Sequence, residues 1–336
     1  MSVLYVKEQG ATISKLGERI VVTKNTQTLL DIPIFQVENI ALIGNVQVTT
    51  QALHFLMENG VDVSFLTYSG KYLGSASAEA SKNIFLRFEQ YQTYLNEEER
   101  LRMARVIVEG KIRNQIAVIR EHRRKDPEYD WDSDIKDMQK NKKELEKKDT
   151  SNSILGVEGI CSQIYFSAFS HMLDCDFPFN GRNRRPPRDP VNVILSLAYT
   201  LLTKEVSNAL DAESFEPYLG FLHGIRYGRK SLALDIVEEF RQPAVDRLVL
   251  TVFNKRMLGI HDFEFPEPGR VNLTEDGFRK FCTEYERWML GTNTLSAEHS
   301  FRIRIREQVA NLKSAIREHR VYEPYSWGDR HVCDQL

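Results

Sequence analysis

An acidic residue interrupts an otherwise apolar segment near the middle of the chain. Glu158 lies within residues 154–161, where the spacing of the apolar side chains predicts a helix. A carboxylate on a buried helix face costs free energy unless it is paired with a cation or bound to a metal ion. The sequence leaves both interpretations open, a salt bridge to an arginine and a metal ligand. The residues on the same face are Ile154, Cys161, Tyr165, Ala168 and Met172.

A histidine and two further acidic residues lie close together later in the chain. His223 precedes a basic, glycine-containing turn, and its imidazole is either a metal ligand or a core side chain bonded to a backbone carbonyl. Asp235 and Glu238 are three positions apart, so they share a face if residues 232–241 form a helix. Two such carboxylates repel each other unless a cation lies between them, although an exposed acidic face is the ordinary alternative.

These residues form one coherent set of ligands. Glu158, His223 and Glu238, with Asp235 alongside, supply oxygen and nitrogen donors but no thiolate. That set suits Mn²⁺ or Mg²⁺ better than structural zinc. A divalent ion held in this way activates an oxygen nucleophile and offsets the charge on a pentavalent phosphorus. The residue types therefore indicate chemistry on phosphate esters.

Arginines cluster in two segments beside the acidic residues. Prolines keep residues 181–190 out of a helix, so this segment is expected to present its arginines from an extended loop. The turn after His223 carries the second group. A solvated loop or partners for the buried acids are the alternatives to phosphate contacts, which carry little sequence information. The predicted DNA-binding residues are Arg184, Arg185, Arg188, Arg226 and Arg229.

The order of these segments closely resembles the CRISPR-associated protein one family, the integrase family of CRISPR adaptation. The matching segments are Leu-Gly-Val-Glu-Gly at 155–159, Asn-Arg-Arg-Pro-Pro-Arg-Asp-Pro-Val-Asn at 183–192, Gly-Phe-Leu-His at 220–223 and Ser-Leu-Ala-Leu-Asp-Ile-Val-Glu-Glu-Phe-Arg at 231–241. Val-Asp-Arg at 245–247 also looks like that family. The resemblance spans nearly the whole chain.

The resemblance implies a homodimeric, metal-dependent DNA endonuclease and integrase that works with CRISPR-associated protein two. It implies that Glu158, His223 and Glu238 are the catalytic metal ligands for Mg²⁺ or Mn²⁺, and Asp235 matches a nearby acidic position of the family. Position 238 is Glu where some relatives carry Asp, which changes only the reach of the carboxylate. We expect the 3′-hydroxyl of a captured double-stranded DNA fragment to attack a phosphodiester at the repeat boundary. The alternatives are a non-catalytic DNA-binding scaffold and a general metal-dependent nuclease.

The elements that position these residues predict an α+β protein, with a small β-rich domain before a larger helical catalytic domain. We place the first domain at residues 1–78, where the resemblance also puts dimerisation, and the second at 84–336. One helix, capped by Thr49 or Thr50 and ended at Asn59-Gly60, interrupts the first. Small residues at 74–78 suggest a linker. The predicted strands are Val3–Val6, Thr12–Lys15, Arg19–Thr23, Thr28–Ile32, Glu38–Ile43 and Val61–Thr67.

From Ile84 onward, the apolar period becomes 3.6 residues, which is typical of helices. Residues 123–148 are almost wholly charged, so we expect an exposed helical excursion or a mobile loop there. Further helices are predicted at Ser153–Leu173, Val191–Leu210, Leu232–Phe240, Ala244–Met257, Thr274–Leu290 and Ser296–Val321.

Composition narrows the class of protein without identifying a function. The chain has 336 residues, with 45 Lys plus Arg, 47 Asp plus Glu and a formal net charge of −2. This balance excludes a protein that covers nucleic acid through a large overall positive charge. Local basic patches are still compatible with DNA binding. The four cysteines form no CxxC pair, which favours a reduced cytoplasmic setting. No segment approaches the roughly 18 to 20 continuous apolar residues of a membrane span.

Overall fold

The computed structural model describes residues 2–68, 70, 72–77, 83–183, 186–267, 269–291 and 300–327. Its contacts divide the chain into two compact units. The first comprises Met1–Ala80, Ile260–Glu264 and Asn272–Glu286, and the second comprises Ser81–Gly259, Phe265–Val271 and Arg287–Leu336. The two returning segments of the first unit differ from the predicted division, in which every residue after 84 belongs to the helical domain.

The first unit contains two four-stranded sheets. Their strands are β1 (Ser2–Val6), β2 (Thr12–Leu16), β3 (Arg19–Lys24), β4 (Gln27–Pro33), β5 (Val37–Ile43), β6 (Gln47–Val48), β7 (Asp62–Leu66) and β8 (Tyr72–Ala76). One sheet has the order β1-β5-β7-β8, with the first two pairings parallel and the last antiparallel. The other has the order β4-β3-β2-β6, built from two antiparallel pairings and a short parallel one.

Alternating apolar residues of both sheets pack into one core with helix α1 (Thr50–Glu58). Ile13 from β2 and Ile40 from β5 are fully buried in it, as is Leu56 from α1. The Thr49 side chain caps α1 by accepting a hydrogen bond from the backbone N–H of Ala52 at 3.2 Å, as the sequence predicts. The predicted linker at 74–78 was wrong: residues 74–76 belong to β8, which pairs with β7, and residue 78 lies outside the described residues.

The second unit is mostly helical, and the predicted α+β class is confirmed. Its helices are α2 (Ile84–Leu95), α3 (Glu97–His122), α4 (Trp131–Glu144), α5 (Ser151–Met172), α6 (Pro190–Ala212), α7 (Ser231–Phe240), α8 (Arg247–Asn254) and α10 (Phe301–Arg317), while α9 (Glu275–Leu290) begins in the first unit. Helix α3 packs against α2, α4, α5 and α7. It therefore lies beside both helices that carry the predicted acidic ligands.

Three features of the helical part differ from the sequence prediction. A π-helix (Arg241–Asp246) joins α7 to α8 without a break, and it contains Pro243, which lacks the N–H that a regular helix requires. Two short strands, β9 (Phe263–Glu267) and β10 (Arg270–Leu273), form a two-stranded sheet that the sequence analysis did not anticipate. The last predicted helix begins at Phe301, and residues 292–299 lie outside the described residues.

The charged segment at 123–148 contains a helix that is anchored on one side. Helix α4 buries Trp131, Ile135 and Met138, and it packs against α3 and α5. The helical alternative of the prediction is therefore confirmed, although three apolar side chains attach this helix to the unit. Among the described helices, none has the length and hydropathy that are needed to cross a membrane.

The segment that follows α10 crosses back over α3 and α7. We call residues 321–327 the C-terminal strap. Asn114 of α3 is fully buried, and its amide donates hydrogen bonds to the backbone carbonyls of Glu239 and Tyr325 at 2.8 and 2.9 Å. The Asn114 side-chain oxygen accepts from the N–H of Trp327 at 2.9 Å. The Glu239 carboxylate accepts from the Tyr322 hydroxyl and the Tyr325 N–H at 2.7 and 2.8 Å, so the strap ties α3 to α7.

Candidate active site

Two acidic side chains from different helices converge on one lysine. The Lys111 ammonium of α3 forms an ion pair with Glu158 of α5, and it lies 2.6 Å from Oε2 of Glu238 on α7. The side chains of Lys111 and Glu238 are each 5% exposed, and that of Glu158 is 22% exposed. The Ser162 hydroxyl, one turn further along α5, donates to Oε1 of Glu158 at 2.8 Å.

An arginine compensates the other oxygen of Glu238. Arg241 donates to Oε1 of Glu238 at 2.8 Å, and its guanidinium stacks on the Tyr199 ring at 4.2 Å from the ring centroid. Burial alone would raise the pKa of Glu238, but the charges of Arg241 and Lys111 outweigh it and hold that pKa well below its ordinary value. Glu238 is therefore an ionised carboxylate with a cation on each oxygen.

The third predicted ligand is held by an aspartate. Asp235 is fully buried and accepts hydrogen bonds from the backbone N–H groups of Phe221, Leu222 and His223 at 2.5, 3.0 and 2.9 Å. Its Oδ1 also lies 2.8 Å from Nδ1 of His223. Burial lowers the pKa of His223, but the hydrogen bond and charge of Asp235 outweigh it and raise that pKa overall. With Nδ1 donating to Asp235, Nε2 is the ring nitrogen that can bind a ligand.

The close approach of two chain segments explains the glycine before this turn. A Cβ built on Gly220 would lie 2.6 Å from the carbonyl carbon of Ser231 and 2.8 Å from Oδ2 of Asp235. No real Cβ approaches other atoms so closely, so only glycine allows the backbone to reach Asp235. The four hydrogen bonds also explain why Asp235 does not share a cation with Glu238: its oxygens are already used by the turn.

The donors present fit a divalent ion in part. As the side chains are placed, no three His, Cys, Asp or Glu residues of the described chain form a metal cluster. However, the oxygens of Glu158 and Glu238 meet at one cation, the Lys111 ammonium, which marks a position where positive charge is favoured. His223 and Glu238 are also close enough to influence each other's pKa. The two carboxylates therefore fit an oxygen-preferring ion, with His223 nearby as a nitrogen donor.

The predicted DNA-binding arginines have different surroundings. The side chains of Arg188 and Arg226 are exposed to solvent. Arg229 instead braces its own turn, since its guanidinium donates to the carbonyl of Gly224 and its Nε donates to the Ser231 hydroxyl at 3.2 Å. Arg184 and Arg185 lie outside the described residues, and the DNA contacts of all five stay a prediction.

A cleft of about 720 Å³ opens beside the carboxylates, within the second unit. Lys111, Arg182 and Arg241 bring positive charge to its wall, and Phe166 contributes an aromatic face. Small residues of α5, among them the half-buried Ser162 and the exposed Ser167, line the side next to Glu158. The cleft therefore combines cationic, aromatic and hydroxyl groups, which suits a phosphate-bearing ligand.

Sequence reasoning missed the two cations at the centre of the site. Lys111 lies three positions after Val108 and seven after Ala104, on the apolar face of α3, which is the same signal that drew attention to Glu158. Arg241 lies three positions after Glu238 and thus on the same side of the helix. The salt-bridge alternative for Glu158 named an arginine, whereas the cation that pairs with it in the structure is Lys111.

A buried aspartate behind the site predicts a pH dependence of stability. Asp246 is fully buried, and it accepts a hydrogen bond from the Tyr199 hydroxyl. Burial raises its pKa from 3.8 to about 6, although Tyr199, Arg241, Tyr165 and Arg182 oppose the shift. Because the folded-state pKa is raised, the stabilisation is complete below pH 4 and is lost as the pH rises through about 6. The loss amounts to roughly 3 kcal/mol, at about 1.4 kcal/mol for each pKa unit.

We therefore expect Asp246→Asn to become more stable relative to the unchanged protein as the pH rises from 4 to 7. Thermal unfolding of both proteins across that range measures the difference, in which the other titrating groups cancel. A difference in melting temperature that stays constant over the range would contradict the raised pKa of Asp246.

The comparisons with known proteins agree with the residue order. The family model of CRISPR associated protein Cas1 matches residues 4–287. A CRISPR-associated endonuclease Cas1 of Thermus thermophilus is 37% identical over 288 residues, covering 85% of this chain and 84% of that relative. Another from Chlorobaculum tepidum is 34% identical over 294 residues, covering 85% and 86%.

A solved structure supports the same assignment. A Cas1 protein from Thermotoga maritima matches this fold with a TM-score of 0.84 and 25% sequence identity, covering 97% of this chain and all of that one. The family match, the identities and the fold together confirm the resemblance that the segments around Glu158, His223 and Glu238 suggest. The chain belongs to the CRISPR-associated protein Cas1 family.

Proposed function

We propose that this protein is a metal-dependent DNA endonuclease and integrase that inserts captured double-stranded DNA fragments into a CRISPR repeat array. The observation that carries the proposal is the convergence of Glu158 and Glu238 on a single cation beside a positively charged cleft. The relatives from Thermus thermophilus and Chlorobaculum tepidum are named CRISPR-associated endonucleases, which supports the same reaction class.

The proposed ligands of a Mg²⁺ or Mn²⁺ ion are Glu158, His223 and Glu238. Such an ion, when bound, stabilises negative charge at phosphorus and on the leaving oxygen. Arg241 keeps Glu238 ionised, and Asp235 keeps Nε2 of His223 directed by holding Nδ1. We assign Asp235 a positioning role through His223, instead of the direct metal contact that the sequence analysis considered.

The substrate is proposed to bind through its phosphates. Arg182 places a guanidinium at the cleft wall, and the exposed Arg188 and Arg226 are proposed to contact the DNA backbone. Arg229 contributes by holding the shape of the turn that carries Arg226. Phosphate contacts of this kind predict DNA affinity that falls steeply with salt.

The reaction exchanges one phosphodiester for another. The 3′ oxygen of the captured fragment forms a bond to phosphorus at the repeat boundary, and the bond from phosphorus to the 3′ oxygen of the repeat breaks. The attacking 3′-hydroxyl releases its proton and the leaving 3′ oxygen takes one up. Because one bond to phosphorus forms as another breaks, the number of phosphodiesters is unchanged. The proposed partners, which follow from family membership, are a second copy of this chain, CRISPR-associated protein two, and double-stranded DNA.

Strand transfer of a labelled duplex into a repeat-bearing plasmid tests the proposal, with CRISPR-associated protein two present. We expect joining with Mn²⁺ or Mg²⁺ and none with EDTA. Glu158→Gln and Glu238→Gln should each lower the rate by at least about 100-fold, because several kcal/mol of transition-state stabilisation depend on the ion. Glu213→Gln is the matched control, since Glu213 pairs only with the surface residue Lys313 among the ion pairs described.

The other outcomes separate the rival functions. Salt-sensitive DNA binding without metal-dependent joining would indicate a non-catalytic scaffold. Cleavage of arbitrary DNA, with no preference for branched or repeat-containing substrates, would indicate a general nuclease. Normal joining by Glu158→Gln with Mn²⁺ present would remove this carboxylate from the mechanism.

A further inference from the structure

The charges in direct contact with the two carboxylates balance without a divalent ion. Glu158 and Glu238 supply two negative charges, and Lys111 and Arg241 supply two positive ones within direct contact distance. The Asp235 charge is compensated separately by three backbone N–H groups and His223. If both cations stayed in place, a divalent ion added to these contacts would leave two excess positive charges beside the carboxylates, which is unfavourable in a largely buried site.

The two cations differ in how they could respond to an added ion. Arg241 donates to one oxygen of Glu238 and stacks on the Tyr199 ring, so two partners hold its guanidinium in place. Lys111 is placed between Glu158 and Glu238, which is where an ion shared by both would have to lie. Both cations line the cleft, but only Lys111 has a flexible, unstacked stem with which its ammonium can move into that space.

We propose that Lys111 is the resident counter-cation of this centre. Its ammonium holds Glu158 and Glu238 together when no divalent ion is bound, and it competes with the ion for the same carboxylate oxygens. The inference rests on the proposed function, because it takes these carboxylates as the metal ligands. It goes further because it places the Lys111 ammonium at the metal position. The protein then binds the ion less tightly than it would without this lysine.

Competition of this kind has two consequences that can be measured. Without Lys111, the carboxylates repel each other in the metal-free protein, so its melting temperature falls by about 5 °C or more. The ion then binds without displacing an ammonium, so Mn²⁺ binds at least about tenfold more tightly, in the ordinary range of coupling between two competing ligands. Mn²⁺ should therefore raise the melting temperature of a Lys111 variant by more than it raises that of the unchanged protein.

The experiment uses the full chain, stripped of metal with EDTA and dialysed. Mn²⁺ binding is measured by calorimetric titration, and thermal unfolding is recorded with and without Mn²⁺, for the unchanged protein, Lys111→Met and Lys111→Gln. Lys313→Met is the matched control, since it removes a lysine paired with a single carboxylate, Glu213, at 2.8 Å. We expect this control to leave the Mn²⁺ affinity unchanged.

A measurement on the unchanged protein covers the case in which both variants fail to fold. The ¹³Cε signal of Lys111, in protein made with labelled lysine, should shift on titration with Mg²⁺, whereas that of Lys313 should not. The signal is assigned by its absence from a Lys111→Arg sample. A Lys111 signal that stays in place while Mg²⁺ binds would overturn the proposal.

The outcomes distinguish this inference from the proposed function. Tighter Mn²⁺ binding by the Lys111 variants supports the competition. Mn²⁺ binding by the variants but not by the unchanged protein also supports it, since Lys111 would then exclude the ion. Equal or weaker binding by the variants overturns the role of Lys111 and leaves the metal centre intact. If neither the unchanged protein nor the variants bind Mn²⁺, both the metal centre and the competition fail.

Discussion

Asp235→Ala is expected to lower the free energy of unfolding by about 4 kcal/mol, because a buried donor without an acceptor costs about 1–3 kcal/mol. The substitution leaves the N–H groups of residues 221–223 and Nδ1 of His223 without the carboxylate that accepts from them. Since His223 loses its orienting partner, affinity for Mn²⁺ should also fall by roughly 10–100-fold. Thermal unfolding and Mn²⁺ titration measure the two effects separately.

Asp262→Ala is the control for this prediction. Asp262 is also buried, at 4% exposure, and it pairs with Lys280; both residues belong to the first unit, whereas Asp235 belongs to the second. The Asp262→Ala protein should be less stable than the unchanged protein but should bind Mn²⁺ with the same affinity. An Asp235→Ala protein that is destabilised but binds Mn²⁺ normally would show that His223 does not depend on Asp235 for its metal role.

Asn114→Ala is expected to have the second largest effect. The substitution removes one amide that joins α3, α7 and the C-terminal strap, and with it the hydrogen bonds to the carbonyls of Glu239 and Tyr325 and from the N–H of Trp327. We expect a loss of about 3 kcal/mol from these buried groups. In a domain of this size, that loss lowers the melting temperature by roughly 6–12 °C.

Asn311→Ala provides a matched control on the same strap. The Asn311 amide, on α10, donates to the carbonyl of Glu323 in the strap at 2.9 Å in an exposed setting. That carbonyl also accepts from Gln308, so the loss should cost less than about 1 kcal/mol. Circular dichroism melting curves of the two variants measure the difference. Equal melting temperatures for the two variants would contradict the role of Asn114 as the joint between the helices.

Much of the fold was predictable because its local signals agree with its packing. The strands of the first unit alternate apolar and polar residues, and α1 has a threonine cap and an Asn-Gly end. The strand β8 was missed because its Gly, Ser and Ala residues are poor strand formers; it is specified by its pairing with β7, which is a long-range contact. The π-helix was missed because Pro243 normally ends a helix.

The candidate site was predictable only where a charge interrupts an apolar pattern. Glu158 was predicted in this way and Glu238 from its spacing of three residues from Asp235, and the structure brings both to one cation. Lys111 shows the same signal, but a lysine near an apolar face often extends its charge to solvent, so the pattern does not distinguish the two cases. The hydrogen bonds of Asp235 depend on how residues 220–223 approach α7, and helical spacing contains no information about that approach.

The C-terminal strap also has a consequence for the order in which the centre is assembled during synthesis. Tyr325, which holds the Glu239 carboxylate, follows Glu238 by 87 residues in the chain. At a synthesis rate of 5–20 residues per second, roughly 4 to 17 seconds separate the two residues on the ribosome. Throughout that interval, the C-terminal strap is not yet available to bind helix α7. The paired carboxylates therefore gain their final support only when nearly all of the described chain has been made.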